Sequence, residues 1–447
     1  VTRYVVDESW RRDGTVVFAG SPLSRFTFSG TMFVEQLEAG ADIAEANAEL
    51  VDRLLDAGAI HPLPGTHSFG PHDVTVVIPA HADTPADLDT LATLVASLAE
   101  AAEVIIVDDA SPHPVPAIGR VRVLRQPVRR GPAAARNAGL REVTRPFVAF
   151  IDLDVAPPPH LLDDLLAWFV DERVGLVAPR IESRPGTSVL ARYERTRSPL
   201  DLGGTEARVR AGTRVSYVPS AMWLCRTAAI RAVDGFDESM MTGEDVDCVW
   251  RLDRAGWRCR YQPSVSCVHE PRTTWTAWLA QRAGYGRSAA ALAQRHGTLV
   301  APVRTTPTIA AAWSVGAFVS PVGGALIAAF GALRLSRTLQ PVSNAQVTRL
   351  TVRTHRHAGA MFASAVTRTW WPMALVTALV SRRARNVVVL AAVIPAAVEW
   401  RRRRAALDPV RYLALRVLDD AAYGFGVWQG VQHRRSADAV LPSITGG

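Results

Sequence analysis

Asp152 and Asp154 stand one residue apart in FVAFIDLDVAPPP (Phe147–Pro159), between an apolar run and three prolines. Side chains alternate along an extended chain, so both carboxylates fall on one side. Like charges that close repel unless a cation lies between them, and hard divalent cations take oxygen ligands. Alone, such a pair reads first as a solvated strand end. Two more acidic pairs accompany it: Asp108-Asp109 in IIVDDAS (Ile105–Ser111), and Glu244-Asp245 in DGFDESMMTGEDVDCVWRL (Asp234–Leu252). A carboxylate placed against a hydroxyl can take its proton. Pro79 in VVIPAH (Val76–His81), Arg136 in RRGPAAARNAGL (Arg129–Leu140) and His269 in CVHEP (Cys267–Pro271) complete the candidate set.

The elements that must hold these residues alternate. DVTVVIPA (Asp73–Ala80), EVIIVDDAS (Glu103–Ser111), VRVLRQP (Val121–Pro127) and FVAFIDLDV (Phe147–Val155) have the composition of strands. Helical patterns over Asp87–Ala102 and Arg130–Val143 fall between them. This rhythm predicts an α/β domain with a largely parallel sheet over residues 73–300. Ligands of such sheets sit beyond the carboxyl ends of the strands, where Pro79, Asp108, Asp109, Asp152 and Asp154 all fall.

The ordered set VVIPAH, VDDAS, RNAG, FIDLDV, GEDVD and CVHEP resembles the family-2 glycosyltransferases, over roughly residues 74–296. The resemblance implies a GT-A fold, a Rossmann-like nucleotide-sugar domain, and an inverting reaction. It implies that Asp109, with Asp108 beside it, accepts the uracil N3–H of a UDP-sugar donor. Arg136 would face the uracil carbonyl or the pyrophosphate. Gly131 and Gly139 would permit close backbone approach to the nucleotide. Asp152 and Asp154 would hold Mg²⁺ or Mn²⁺ against the phosphates, with His269 as third ligand. Asp245 would be the base and Glu244 would orient the acceptor. An aspartate near its ordinary pKa of about 3.9 is a weak base, so proton transfer is expected late. Trp223, in PSAMWLCR, could stack on an acceptor sugar. Asp247 and Arg251 read as readily as a helix-capping ion pair. QRAGYG (Gln281–Gly286) departs from the Q-x-x-R-W element of processive synthases, with Tyr285 and Gly286 where Arg and Trp would stand.

Residues 1–65 form a separate pattern. GTVVFAG (Gly14–Gly20) and SRFTFSG (Ser24–Gly30) read as short strands, Thr31–Ala39 and Ala44–Ala57 as helices, and Ala59-Ile60 as the start of a last strand. This winged-helix-like order resembles the PqqD-like peptide-binding modules of ribosomal-peptide modification systems. Joined to the catalytic pattern and an apolar tail, it makes the chain similar to the mycofactocin-system glycosyltransferases. The implied acceptor is a peptide or peptide-derived redox cofactor, extended by a β-linked oligoglucose chain from UDP-glucose. A transferase acting on a lipid or polysaccharide at the inner membrane, and a non-catalytic peptide-binding membrane adaptor, are the rival readings. HPLPGTHSFGPH (His61–His72) reads as a linker.

The formal charge of +8 is unevenly placed, because residues 301–447 hold 18 arginines against 5 acidic residues. No nucleic-acid partner is expected. Thr305–Leu333 carries no charge, and shorter apolar runs at Thr369–Ser381 and Asn386–Val398 are flanked by RRAR (Arg382–Arg385) and RRRR (Arg401–Arg404). Basic clusters at both ends suit a helix lying in the headgroup layer better than one crossing it. The tail is therefore expected to be helical and membrane-associated, on the cytoplasmic face, peripheral or monotopic. The polar start shows no apolar signal segment, and four cysteines without a C-x-x-C pair read as reduced core thiols.

Overall fold

The computed structural model describes residues 3–20, 23–29, 31–43, 47–65, 67–119, 121–339 and 342–445. The first strands are β1 (Tyr4–Val6), β2 (Arg11–Asp13), β3 (Val16–Ala19) and β4 (Ser24–Thr27). Helices α1 (Met32–Glu38) and α2 (Ala48–Asp56) follow, then β5 (Ile60–Pro62), which returns beside β1. The start expected for the second helix, residues 44–46, lies outside the described residues. β2, β3 and β4 form an antiparallel wing. Val17, Val34, Leu37, Leu54 and Ile60 bury a small core beneath it.

His61 was expected in a linker, but it lies buried in β5. Its Nε2 is 3.0 Å from Asp7 Oδ2, and Nδ1 is 3.3 Å from Arg260 Nη2. With Nε2 as donor and Nδ1 as acceptor, one neutral tautomer satisfies both partners. Hydrogen bonds from His61 and Ser9 outweigh burial and hold Asp7 down at about 2. Buried Arg258 gives Nε, Nη1 and Nη2 to Asp56, Asp171 and Asp52 at 2.9, 2.7 and 2.8 Å. Side-chain ion pairs therefore fasten the N-terminal module to the large sheet.

That sheet is built from β6 (Val74–Ala80), α3 (Pro85–Ser97), β7 (Glu103–Asp108), β8 (Arg122–Arg125), α4 (Pro132–Glu142), β9 (Phe147–Ile151) and β10 (Val155–Ala156). There follow α5 (Leu161–Leu166), β11 (Val174–Ser183), α6 (Val189–Arg197), β12 (Ala207–Val209), β13 (Met222–Arg226), α7 (Thr227–Ala232), α8 (Glu244–Arg254) and β14 (Arg258–His269). The order is β10-β14-β11-β13-β9-β6-β7-β8, with β12 beside β14. β8, β7, β6 and β9 are parallel, as the sequence rhythm predicts. β13 enters antiparallel between β9 and β11, so the sheet is mixed. Pro79 lies beyond the last β6–β9 pair, Val77 with Phe150, so its missing N–H costs that ladder nothing.

α4 packs very closely on the sheet. A Cβ on Gly139 would stand 2.3 Å from Val77 Cγ1 and 3.3 Å from Val107 Cγ2. Gly139 thus serves helix-on-strand packing, which corrects its expected place beside the nucleotide. Gly139→Val should destabilise the fold by about 1–3 kcal/mol through overpacking. An unchanged denaturation midpoint would refute this account of α4.

Chain contacts divide the molecule into two units, 1–185 with 197–271, and 186–196 with 272–447. The boundary falls after Pro271, so α9 (Trp275–His296), expected within the domain of residues 73–300, belongs to the second unit. The second unit adds β15 (Arg304–Thr305), α10 (Pro307–Phe318), α11 (Pro321–Thr338), α12 (Asn344–Ser364), α13 (Trp371–Val380), α14 (Arg382–Arg403), α15 (Pro409–Arg434) and β16 (Ser443–Ile444). Glycine contacts bring α9 and α15 together, since a Cβ on Gly286 would meet Tyr423 O at 2.0 Å. Arg282, from the QRAGYG stretch, is buried between Glu194 and Asp419. The uncharged run Thr305–Leu333 is broken: Ser320 caps α11 through the Gly323 N–H, and Pro321 opens it. No helix among the described residues is long and apolar enough to cross a membrane.

Candidate active site

β9 ends at Ile151, and the chain turns at once. The Asp152 N–H donates to Ala221 O of the strand's neighbour, and Val155 N–H closes back on Asp152 O at 3.1 Å. β10 then pairs antiparallel with the end of β14, setting Val155 opposite His269. This register brings Asp154 Oδ2 within 3.3 Å of His269 Nε2, across 115 residues of sequence.

Arg136 is the centre of the site. It points from α4 into the protein, almost wholly buried. Nη2 donates to Asp152 Oδ1 at 2.7 Å and Nη1 to Glu244 Oε1 at 3.0 Å. Its guanidinium lies over the Phe236 ring, 5.3 Å from the centroid. Asn137 pins that ring's backbone, donating to Phe236 O and accepting from Phe236 N–H. The RNAG pair thus does two jobs, and the role of Asn137 with Phe236 goes beyond what the motif spacing announces. Burial opposes the charge on Arg136, yet Asp152 and Glu244 outweigh it and raise its pKa. Burial raises the Asp152 pKa, against the pull of Arg136.

Glu244 and Asp245 open α8 after Gly243, where the helix N-terminus favours acidic side chains. Burial pushes Asp245 up to about 7, and the neighbouring Glu244 charge adds to the shift. N–H groups of Val246 and Ser220 and the Arg136 charge work in the other direction. The shift carries this carboxyl away from the ordinary aspartate value, on which the expectation of a weak base rested, and towards neutral pH. Asp247 is buried and accepts from Arg251 Nε at 2.7 Å; Arg251 also holds Gly235 O at 2.7 Å. That pair is structural.

The DD pair is mostly architectural. Asp108 is fully buried; its oxygens accept from Ser111 N–H, Val115 N–H and Arg125. Burial disfavours its charge, but these hydrogen bonds outweigh it and lower the pKa. Asp108 shapes the loop and has no surface for a nucleotide, which corrects its expected role. Asp109 accepts from Arg130 N–H at 2.7 Å and Gly131 N–H at 2.8 Å. Gly131 has φ +89°, a conformation that glycine adopts without strain. Asp109 therefore fixes the start of α4, and hence Arg136. Trp223 is also corrected: it is fully buried and stacks on Phe236 at 5.4 Å, so it has no face for a sugar.

The donor set suits a hard divalent cation. One carboxylate oxygen and one imidazole nitrogen 3.3 Å apart approach the edge of an octahedron with bonds of roughly 2.1 Å. Asp152 keeps its second oxygen but is turned to Arg136. Among the described residues, the one trio of such donors within 4.8 Å is Glu100, His160 and Asp163, largely exposed. Of the three expected ligands the structure thus brings Asp154 and His269 into contact, while Asp152 is paired with Arg136.

Residues 75–233 match the family model "Glycosyl transferase family 2". The chain is 43% identical over 421 residues to the pre-mycofactocin glycosyltransferase of two Mycobacterium tuberculosis strains, covering 90% of this chain and 88% of that one. It is 22% identical over 217 residues to the poly-beta-1,6-N-acetyl-D-glucosamine synthase of Staphylococcus aureus, covering 46% and 52%. A solved mannosyltransferase from Pyrobaculum calidifontis, in complex with GDP-Man and Mn2+, aligns at 18% identity and TM-score 0.39, over 69% of this chain and 91% of that one.

Proposed function

Because the chain belongs to the family-2 glycosyltransferases of GT-A fold, and within them to the pre-mycofactocin glycosyltransferases, we propose that it transfers glucose from UDP-glucose to a peptide-derived mycofactocin precursor, inverting the anomeric centre and building a β-linked oligoglucose chain. One observation carries the chemistry: Arg136 joins Asp152, on the donor side, to Glu244, next to Asp245, whose carboxyl burial pushes up towards neutral pH. The acceptor hydroxyl gives its proton to Asp245 as its oxygen attacks the anomeric carbon, and the bond to the diphosphate breaks on the opposite face. Glu244, held by Arg136, orients the acceptor. Mg²⁺ or Mn²⁺ held by Asp154 and His269 would neutralise charge on the leaving UDP.

The N-terminal module supports a peptide acceptor. Among the described residues β4 pairs with β3 and stands at an edge of the wing, the kind of element to which a peptide adds as a strand. The ion pairs of Arg258 and the His61 contact fix α2 and β5 of that module to the catalytic sheet.

Mass spectrometry of products from the purified chain, UDP-glucose and the peptide-derived precursor tests the proposal. A ladder of hexose additions, abolished by EDTA and restored by Mn²⁺ or Mg²⁺, is expected. Turnover insensitive to EDTA would remove the metal from the mechanism. Product found only in an organic extract from lipid acceptors would refute the peptide-derived substrate.

A further inference from the structure

The second unit carries a surface that its own packing leaves bare. On α11, Val322, Leu326, Phe330 and Leu333 recur at helical spacing, each more than 60% exposed. On α14, Val389, Leu390, Val393, Ile394 and Val398 form another exposed stripe. α13 ends with Leu379 and Val380, 81% and 85% exposed. Arg383 Nη1 donates to Phe318 O at 2.7 Å, so the α10–α11 and α13–α14 turns lie side by side. Both turns are apolar, since Phe318, Val319 and Val322 are exposed at the first. Apolar faces this extensive mark interaction sites in soluble proteins.

The arginines decide what covers it. Exposed Arg382 and Arg385 begin α14, and exposed Arg401, Arg402 and Arg403 end it. From Arg385 to Arg401 the helix rises only about 24 Å, less than the roughly 30 Å of bilayer hydrocarbon. Both basic ends cannot reach opposite headgroup layers while the middle crosses. They can both meet one layer if the helix lies flat, with its apolar stripe in the acyl boundary. A protein partner would need a matching apolar face with acidic clusters at both ends; an anionic lipid leaflet offers that combination without design.

We propose that α11, α13 and α14 form a monotopic docking face for an anionic bilayer surface, entering through Leu379, Val380 and the apolar stripes, with the flanking arginines on lipid phosphates. The full chain should co-sediment with phosphatidylcholine vesicles containing a quarter phosphatidylglycerol, and far less with pure phosphatidylcholine. Leu379→Asp with Val380→Asp should weaken binding about tenfold or more. Arg401→Gln and Arg402→Gln should each weaken it about fivefold at low salt. All four side chains are exposed, so folding should persist, as circular dichroism would check. No sedimentation of the wild-type chain, or equal sedimentation of the Leu379/Val380 variant, overturns the proposal. So does a light-scattering dimer that dissociates in that variant and ignores vesicles, since a second copy would then be the occupant.

Discussion

Asp245→Asn should lower turnover by about 10²–10⁴-fold while UDP and metal binding stay at wild-type strength. The amide keeps the shape and one acceptor oxygen but cannot take a proton. The wild-type kcat/KM should rise with pH and level off above about 7, where Asp245 loses its proton. That limb should vanish in the variant. The stability sign is opposite. A carboxyl raised in the folded state adds stability that is present below its unfolded pKa and lost as pH rises through about 7. Asp245→Asn should therefore melt higher than wild type under alkaline conditions. Normal turnover in Asp245→Asn would refute the base assignment; an unchanged pH limb would assign it to another group.

The second large effect is expected at Arg136. Arg136→Met leaves Asp152 and buried Glu244 facing one another without a cation. Removing one partner of such a buried pair costs roughly 3–5 kcal/mol. The melting temperature should fall, and UDP-sugar transfer should fall at least about a hundredfold. Arg136→Lys separates the two effects. It keeps one charge but cannot reach both carboxylates with a planar fork. It should recover much of the stability while transfer stays low. Full activity in either variant would show that the Asp152–Arg136–Glu244 bridge is dispensable.

The strand rhythm places Asp152 and Asp154 at the strand ends, because strand ends are local properties of the chain, and the resemblance to family-2 glycosyltransferases adds Glu244 and Asp245. The same local reading misassigns Asp108 and Trp223. A strand-end aspartate looks alike whether it faces water or accepts from Ser111, Val115 and Arg125, and a tryptophan looks alike whether it lies open or under Phe236. Hydropathy likewise reveals the apolar tail but not which way its faces point.

By itself, then, the order of residues determined the α/β pattern, the position of the site at the strand ends and the chemical types gathered there. Tertiary structure alone decided the rest. The β10–β14 register sets Asp154 against His269, α4 drives Arg136 between two carboxylates, and burial lifts the Asp245 carboxyl above its ordinary range. Those outcomes depend on desolvation and on contacts spanning more than a hundred residues, and no local stretch of chain encodes either one.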